Sequence, residues 1–225
     1  MKTIARIKTD FPEKFGIPRQ SSRIYDLKGE IVFSPEYRNP DAVKGLDGFD
    51  YLWLLWKFDV PEKANFTATV RPPRLGGNIR MGVFATRSPF RPNPIGLSCV
   101  RLDSVEYTPD GPVLKVSGVD MKDGTEIYDI KPYLPSYDSH PEAREGFAKE
   151  SLNHRLEVDI PDSLLSRFPE EKRTGILAIL ADDPRPSYQD DPERIYGVSY
   201  SGFNIRFKVK SETLTVTDVL PISQP

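Results

Sequence analysis

Cysteine and histidine are nearly missing from this chain, which has one cysteine, Cys99, and two histidines, His140 and His154, in 225 residues. One cysteine excludes an internal disulfide and fits a reducing compartment, so a cytoplasmic location is expected. With so few ligands no His/Cys metal site can be assembled, and none is expected. A serine triad would have to use one of the two histidines, and both fall in a polar stretch that reads as a linker. Three other sequence signatures are missing. There is no G-x-S-x-G elbow and no G-x-x-x-x-G-K-S/T loop, and LGGNIRMG lacks G-x-G-x-x-G spacing and a surrounding βαβ unit. A Rossmann-type nucleotide site is therefore not expected. Long apolar runs are absent too, the longest being Tyr51 to Trp56, so no membrane span is expected. The opening MKTIARIKTDFPEKF has no apolar signal core, and export is not expected.

The most informative absence is local. From Asn65 to Arg101 there is no Asp, Glu or Lys, yet six arginines occur: Arg71, Arg74, Arg80, Arg87, Arg91 and Arg101. Formal net charge is −2, so without these six the rest of the chain stands at −8. A basic stretch on an acidic protein is the footprint of a local anionic ligand. Arginine in place of lysine suits planar, two-pronged recognition of carboxylate or phosphate. Pro72, Pro73, Pro89, Pro92 and Pro94 exclude interior helix and central strand, and Gly76, Gly77 and Gly96 permit close backbone approach. Stiff basic loops thus alternate with short apolar strands, Met81 to Ala85 and Ile95 to Val100. This pattern fits a loop-borne site on a rigid scaffold, and it also fits ordinary turns with exposed arginines.

The remaining pattern is mainly β. Strands are expected at Ile4–Ile7, Ile31–Phe33, Tyr51–Trp56, Val113–Val119 and Thr125–Ile130, with turn signals between them and hardly any helical periodicity. That spacing predicts a β-barrel. Tyr51 to Trp56 is apolar on both faces and should be covered on both sides. Cys99 reads as a small buried hydrophobe. The composition loses its period from Pro135 to Arg155, so a barrel domain over 1–137 and a small α+β domain over 156–225 are expected. In the latter, Pro161–Phe168 and the face of Ile176, Leu177, Ile179 and Leu180 read as helical. Three antiparallel strands follow, at Ile195–Tyr200, Phe203–Val209 and Leu214–Val219.

RPPRLGGN followed by GVFATRSPFRPNPIGLS resembles the signature of the TsaA-like family, and EKFGIPRQ, GLDGFDYLWLLWKF, DGTEIYDIKPYLP and DDPRPSY fall in family order. One departure is Asp50-Tyr51, where the family motif carries Ser-His. Bacterial members are tRNA methyltransferases similar to the enzyme that adds an N6-methyl group to threonylcarbamoyladenosine at position 37, beside the anticodon. The resemblance implies a barrel that binds S-adenosyl-L-methionine without metal, a tRNA partner held at its anticodon loop, and a homodimer with the arginine loops near the subunit boundary. Carried over residue by residue, the implied donor contacts are Arg19, Gln20, Asp59, Arg87, Leu97, Gly118, Val119, Asp120 and Met121. Arg74, Arg91, Arg185 and Tyr188 are candidates for the RNA substrate, with Arg87 or Arg91 suited to a threonyl carboxylate and Arg185 and Tyr188 to a phosphate and a base. Asp123, Asp129 and Asp183 lie in the matched motifs and are candidate proton acceptors, and each is equally a turn or cap residue. A non-catalytic RNA-binding barrel and an enzyme acting on another adenine-bearing metabolite remain open rivals.

Overall fold

The computed structural model describes residues 1–60, 66–72, 78–147, 155–185 and 191–222. In chain order its strands are β1 (Ala5–Thr9), β2 (Lys28–Phe33), β3 (Tyr51–Lys57), β4 (Thr69–Val70), β5 (Met81–Gly82), β6 (Ile95–Thr108), β7 (Gly111–Ser117), β8 (Glu126–Pro132), β9 (Glu157–Asp159), β10 (Tyr196–Tyr200), β11 (Phe203–Lys210) and β12 (Thr213–Pro221). Its helices are α1 (Pro135–Asp138), α2 (Asp162–Leu165) and α3 (Glu170–Ala181). The fold is mainly β, as the turn spacing predicts.

Six strands close into an antiparallel barrel in the order β1-β2-β7-β6-β3-β8. Alternation decides which side chains fill it. Ala5, Ile7, Ile31, Leu52, Leu54, Val100, Leu114 and Ile127 are fully buried, each from an alternate position on its strand. β3 departs from expectation: Leu52, Leu54 and Trp56 point inward and are buried, while Tyr51, Trp53 and Leu55 point outward and stay half-exposed. Among the described residues, one face of this doubly apolar strand is buried and the other is covered only in part. Met81 to Ala85 is also not one strand, since the short β5 gives way to a 3-10 turn over Val83–Ala85.

β6 continues beyond the period-two pattern of Ile95 to Leu102 and carries a register shift between Leu102 and Ser104 against β7. A bulge of this kind leaves one residue unpaired and bends the strand. That residue is Asp103, whose carboxylate accepts from Arg101 Nε, Lys28 Nζ and Ser117 Oγ. Burial pushes its acidity down, but these three donors outweigh burial and hold the carboxyl below the usual range.

The C-terminal part is a four-stranded sheet ordered β10-β11-β12-β9, in which β9 pairs parallel to β12. It is packed on the barrel by apolar contact. One hydrophobic core runs from Ile7, Phe11 and Leu27 of the barrel side to Ile176, Leu180, Val198 and Phe207 of the sheet side. A glycine in the middle of α3 normally weakens a helix. Here a Cβ on Gly175 would stand 2.6 Å from Tyr200 Oη, so only glycine lets α3 lie this close to β10. Among the described residues no helix is long and apolar enough to cross a membrane.

Candidate active-site cleft

The cleft follows from an incomplete pairing of β6. β3 flanks β6 on one side from Ile95 to Arg101, but β7 joins the other side only from Arg101 onward. The free edge is partly stitched by a loop. Ser21 Oγ accepts from Cys99 N at 2.9 Å, and Ser22 Oγ donates to Cys99 O at 2.7 Å. Ser22 N in turn donates to Gly118 O at 2.8 Å. Gly118 has φ +77°, and a Cβ there would come within 2.9 Å of Ser22 Cα, so glycine is required for the loop to close. Both main-chain groups of Cys99 face away from β3, and backbone alternation makes those of Leu97, two residues earlier, face the same way. The N–H and C=O of Leu97 are therefore offered to the cleft.

The cleft has a volume of about 510 Å3. Its apolar wall includes Trp56, Phe58, Ile95 and Leu97, and its polar groups include Arg19, Gln20, Asp59, Arg87, Arg91 and Asp120. The Trp56 and Phe58 rings lie 4.3 Å apart, and Gly96 leaves room for the indole, because a Cβ there would meet Trp56 Cε2 at 2.2 Å. A buried relay runs behind this wall. Trp56 Nε1 donates to Ser98 Oγ at 2.8 Å, and Ser98 Oγ donates to Asp120 Oδ1 at 2.6 Å. Asp120 keeps part of its surface on the cleft while its carboxyl group is enclosed by protein. Burial pushes its pKa up to about 6, against the opposing pull of the Ser98 hydroxyl, its own amide, the Ser21 amide and the Arg87 guanidinium. A group that changes charge near neutrality inside a cleft is typical of functional sites.

Of the expected donor contacts, Arg19, Gln20, Asp59, Arg87, Leu97, Asp120 and Met121 line this one cleft. Gly118 and Val119 lie behind it, Gly118 holding the loop and Val119 buried in the core. Arg87 Nη1 donates to Gln20 Oε1 across the mouth. Asp59 sits at the rim between Lys14, 3.4 Å away, and Lys122, 3.7 Å away. Those two lysines, with Ser98 and Trp56, are site residues that the motif reading passes over. Ser98 had a signal, as a lone hydroxyl between Gly96 and Val100 on the inward face of an apolar strand; the lysines had none.

The three candidate proton acceptors do not reach the cleft. Asp123 Oδ1 accepts from Thr9 N at 2.9 Å and caps the end of β1. Asp129 accepts from Ile130 N and pairs with Lys131 at 3.0 Å. Asp183, at φ +51°, holds both Nε and Nη2 of Arg185 at 2.8 and 2.9 Å. Arg185 is itself buried, and its carbonyl accepts from Arg19 Nη2 at 3.1 Å. Its side chain therefore braces the turn that meets the Arg19 loop. Arg91 lines the cleft, with Nη1 donating to Thr86 O at 2.8 Å and Ser88 O at 3.3 Å, so part of its guanidinium shapes its own loop. Arg74 and Tyr188 lie outside the described residues. Cys99 is half-buried, and burial pushes its thiol up to about 11, which leaves it inert at neutral pH. Among the described residues no group of three or more His, Cys, Asp or Glu could hold a metal ion.

Comparison with known proteins fits this geometry. Residues 6–139 match the family model of the tRNA-methyltransferase O N-terminal domain, and residues 153–222 match the TrmO C-terminal domain. The chain is 41% identical over 215 residues to the tRNA (adenine(37)-N6)-methyltransferase of Escherichia coli K12, covering 92% of this chain and 91% of that one. It is 36% identical over 156 residues to a Pyrococcus abyssi protein named "Probable S-adenosyl-L-methionine-binding protein", covering 69% and 79%. The crystal structure of TrmO from Pseudomonas aeruginosa superposes with a TM-score of 0.77 at 31% identity, covering 96% of each chain. With both family models matched in order and a full-length relative at this identity, the chain belongs to the tRNA-methyltransferase O family.

Proposed function

We propose that the protein uses S-adenosyl-L-methionine to methylate N6 of threonylcarbamoyladenosine at position 37 of tRNA, with both reactants meeting in the cleft beside Leu97 and Asp120. The broader activity, methylation of adenine 37 of tRNA, is the one named for its full-length relative. The observation that carries the finer reading is the joining of three features in one cleft: an unpaired strand edge, a buried carboxylate and an arginine loop.

The residues present fit the donor. The volume is in the range of small-molecule sites, and the wall is apolar with a few convergent polar groups. The main chain of Leu97 can pair with an adenine edge as a neighbouring strand would. Asp120 can accept from a ribose hydroxyl or an ammonium group, with Ser98 fixing its orientation. When bound, the donor supplies a methyl group on a sulfonium centre. Such a displacement needs placement and charge complementarity more than covalent help. Arg87, held by Gln20 at the mouth, and Arg91 on the same loop suit the threonyl carboxylate, which distinguishes this substrate from plain adenosine. Among the described residues, Asp120 and Asp59 are the carboxylates that line the cleft, and either can take the proton released by the acceptor nitrogen. A phosphate-only binding module has no use for Trp56, Phe58 and an enclosed carboxylate, which argues against the non-catalytic rival.

The test is mass spectrometry of nucleosides from threonylcarbamoyl-modified tRNA incubated with protein and donor. One added methyl on the modified nucleoside is expected. Methylation of unmodified adenosine alone would remove the finer substrate, and no methyl on either would remove the whole reading.

A further inference from the structure

The chain from Phe66 to Phe90 carries large apolar side chains that its cleft does not use. Phe84 is 71% exposed and Phe66 60% exposed, and their rings lie 6.2 Å apart at an interplanar angle of 23°. Exposed aromatics scattered singly need no account, but two stacked rings left in solvent do. Their support is rigid. β4 and β5 pair as a two-stranded ribbon, and Val83 N donates to Ala68 O at 2.9 Å. Val83 is buried, and it anchors the 3-10 turn that turns Phe84 outward. The turn leads directly into Thr86 and Arg87, which line the cleft. Arg91 joins the two features, because it lines the cleft and its Cζ stands 5.9 Å from the centre of the Phe84 ring.

Charge selects the occupant. No acidic residue occurs from Asn65 to Arg101, while Arg71, Arg80, Arg87 and Arg91 surround or follow the two rings in sequence. A second copy meeting this patch across a twofold axis would bring the same arginines together with no carboxylate of the stretch to answer them. Unpaired nucleic-acid bases meet both requirements, offering flat π-faces to the rings and phosphates to the guanidinium groups. Paired bases do not, since their faces are already stacked. We infer that Phe66 and Phe84 form a platform on which an unpaired base of the substrate RNA stacks, beside the nucleotide that enters the cleft. This rests on the tRNA reading above.

The experiment compares wild type with Phe84→Ala, the double variant Phe66→Ala/Phe84→Ala, and Phe84→Trp. Loss of one stacking contact raises KM for tRNA by about tenfold, and the double variant by more, because alanine replacement at such platforms weakens binding by roughly five- to a hundredfold per base. Calorimetric S-adenosylmethionine affinity and the light-scattering mass are expected to stay unchanged. Phe84→Trp is expected to restore KM, and its emission is expected to quench on adding an anticodon stem-loop. Alanine variants with wild-type KM would overturn the platform alone. A change of oligomeric mass with tRNA affinity intact would assign the patch to a second copy. If wild type neither binds nor methylates tRNA, the functional reading falls and the platform with it.

Discussion

At the scale of single residues, Asp120 is where fold and chemistry meet. Its carboxyl is enclosed, so its pKa is raised from 3.8 to about 6, while Ser98 donates to it at 2.6 Å. The sign of the stability effect follows. Between the unfolded and folded pKa values the native state holds a proton that the unfolded state has released, so this contribution falls as pH rises from about 4 to about 6. Above that, the ionised group costs on the order of 3 kcal/mol, because each tenfold loss of acidity is worth about 1.4 kcal/mol. Asp120→Asn is therefore expected to raise Tm at pH 7.5 and to change it little near pH 4, while donor binding is lost. Wild-type donor affinity is expected to weaken below about pH 6, as the carboxylate becomes neutral. Ser98→Ala removes a donor to the charged form, so the acid limb should move up by about one pH unit. Calorimetric Kd against pH for wild type and Ser98→Ala checks this; superimposable profiles would reduce Ser98 to a packing residue. Arg101 gives a residue-scale contrast. Although it belongs to the stretch without acids, it lies within β6, bonds Asp103 at 3.0 Å and stands 5.2 Å from the Tyr25 ring.

Among the elements, the loop over Arg19–Arg23 matters most, because it is tied at both sides. Ser21 and Ser22 stitch it to β6, while Arg23 pairs with Asp182 and Arg19 bonds the Arg185 carbonyl. The Arg23–Asp182 pair is mostly buried, at 19% and 11% side-chain exposure, so removing one partner takes a charge-assisted contact from a largely desolvated group. Breaking such a pair costs about 3–5 kcal/mol. Asp182→Ala is expected to lower Tm by several degrees and to weaken donor binding, although Asp182 lies outside the cleft. Arg23→Ala should do likewise, and the double variant should cost less than the sum, as expected of coupled partners. Additive losses with unchanged donor Kd would mean that the loop keeps its place without the tie. In DDPRPSY the pairing of Asp183 with Arg185 is a contact that the motif alone does not disclose. The strands were legible because alternation is local, and the inward residues of β1, β2, β3 and β7 follow from it. β9 was not, since three residues of Glu157–Asp159 carry no period and their pairing with β12 is set by a distant segment. The start of α3 was hidden as well, because Glu170 to Thr174 are polar and the apolar face begins only at Ile176.

At the scale of the molecule, the half-covered face of β3 asks for a partner. Its outward side chains Tyr51, Trp53 and Leu55 stand opposite Arg101, Cys99 and Leu97 on β6, and Trp53 and Leu55 stand opposite Lys131 and Asp129 on β8. Tyr133 packs on Tyr51 and Trp53 with centroids 6.1 and 5.8 Å away, and Tyr25 extends the row at 6.4 Å from Tyr51. An aromatic centre with charged residues at its rim is the composition of a protein interface. We propose that the protein is a homodimer and that this face, more than the arginine loops, forms the subunit boundary. Leu97 ties the boundary to the site, since it is 52% exposed, sits on this face and lines the cleft. A second subunit would then wall the cleft that one barrel leaves open along β6. Trp53→Glu places a charge in the apolar centre, where burial without a partner is costly. It is expected to convert a dimer to a folded monomer, because Trp53 points away from the barrel core. It should also weaken S-adenosylmethionine binding by about tenfold through the uncovered side of Leu97, an effect of roughly 1.4 kcal/mol. Sedimentation velocity and calorimetry on the same samples measure both. A wild-type monomer with full activity would remove the dimer, and a Trp53→Glu monomer that binds donor as wild type does would show that each barrel completes its own cleft.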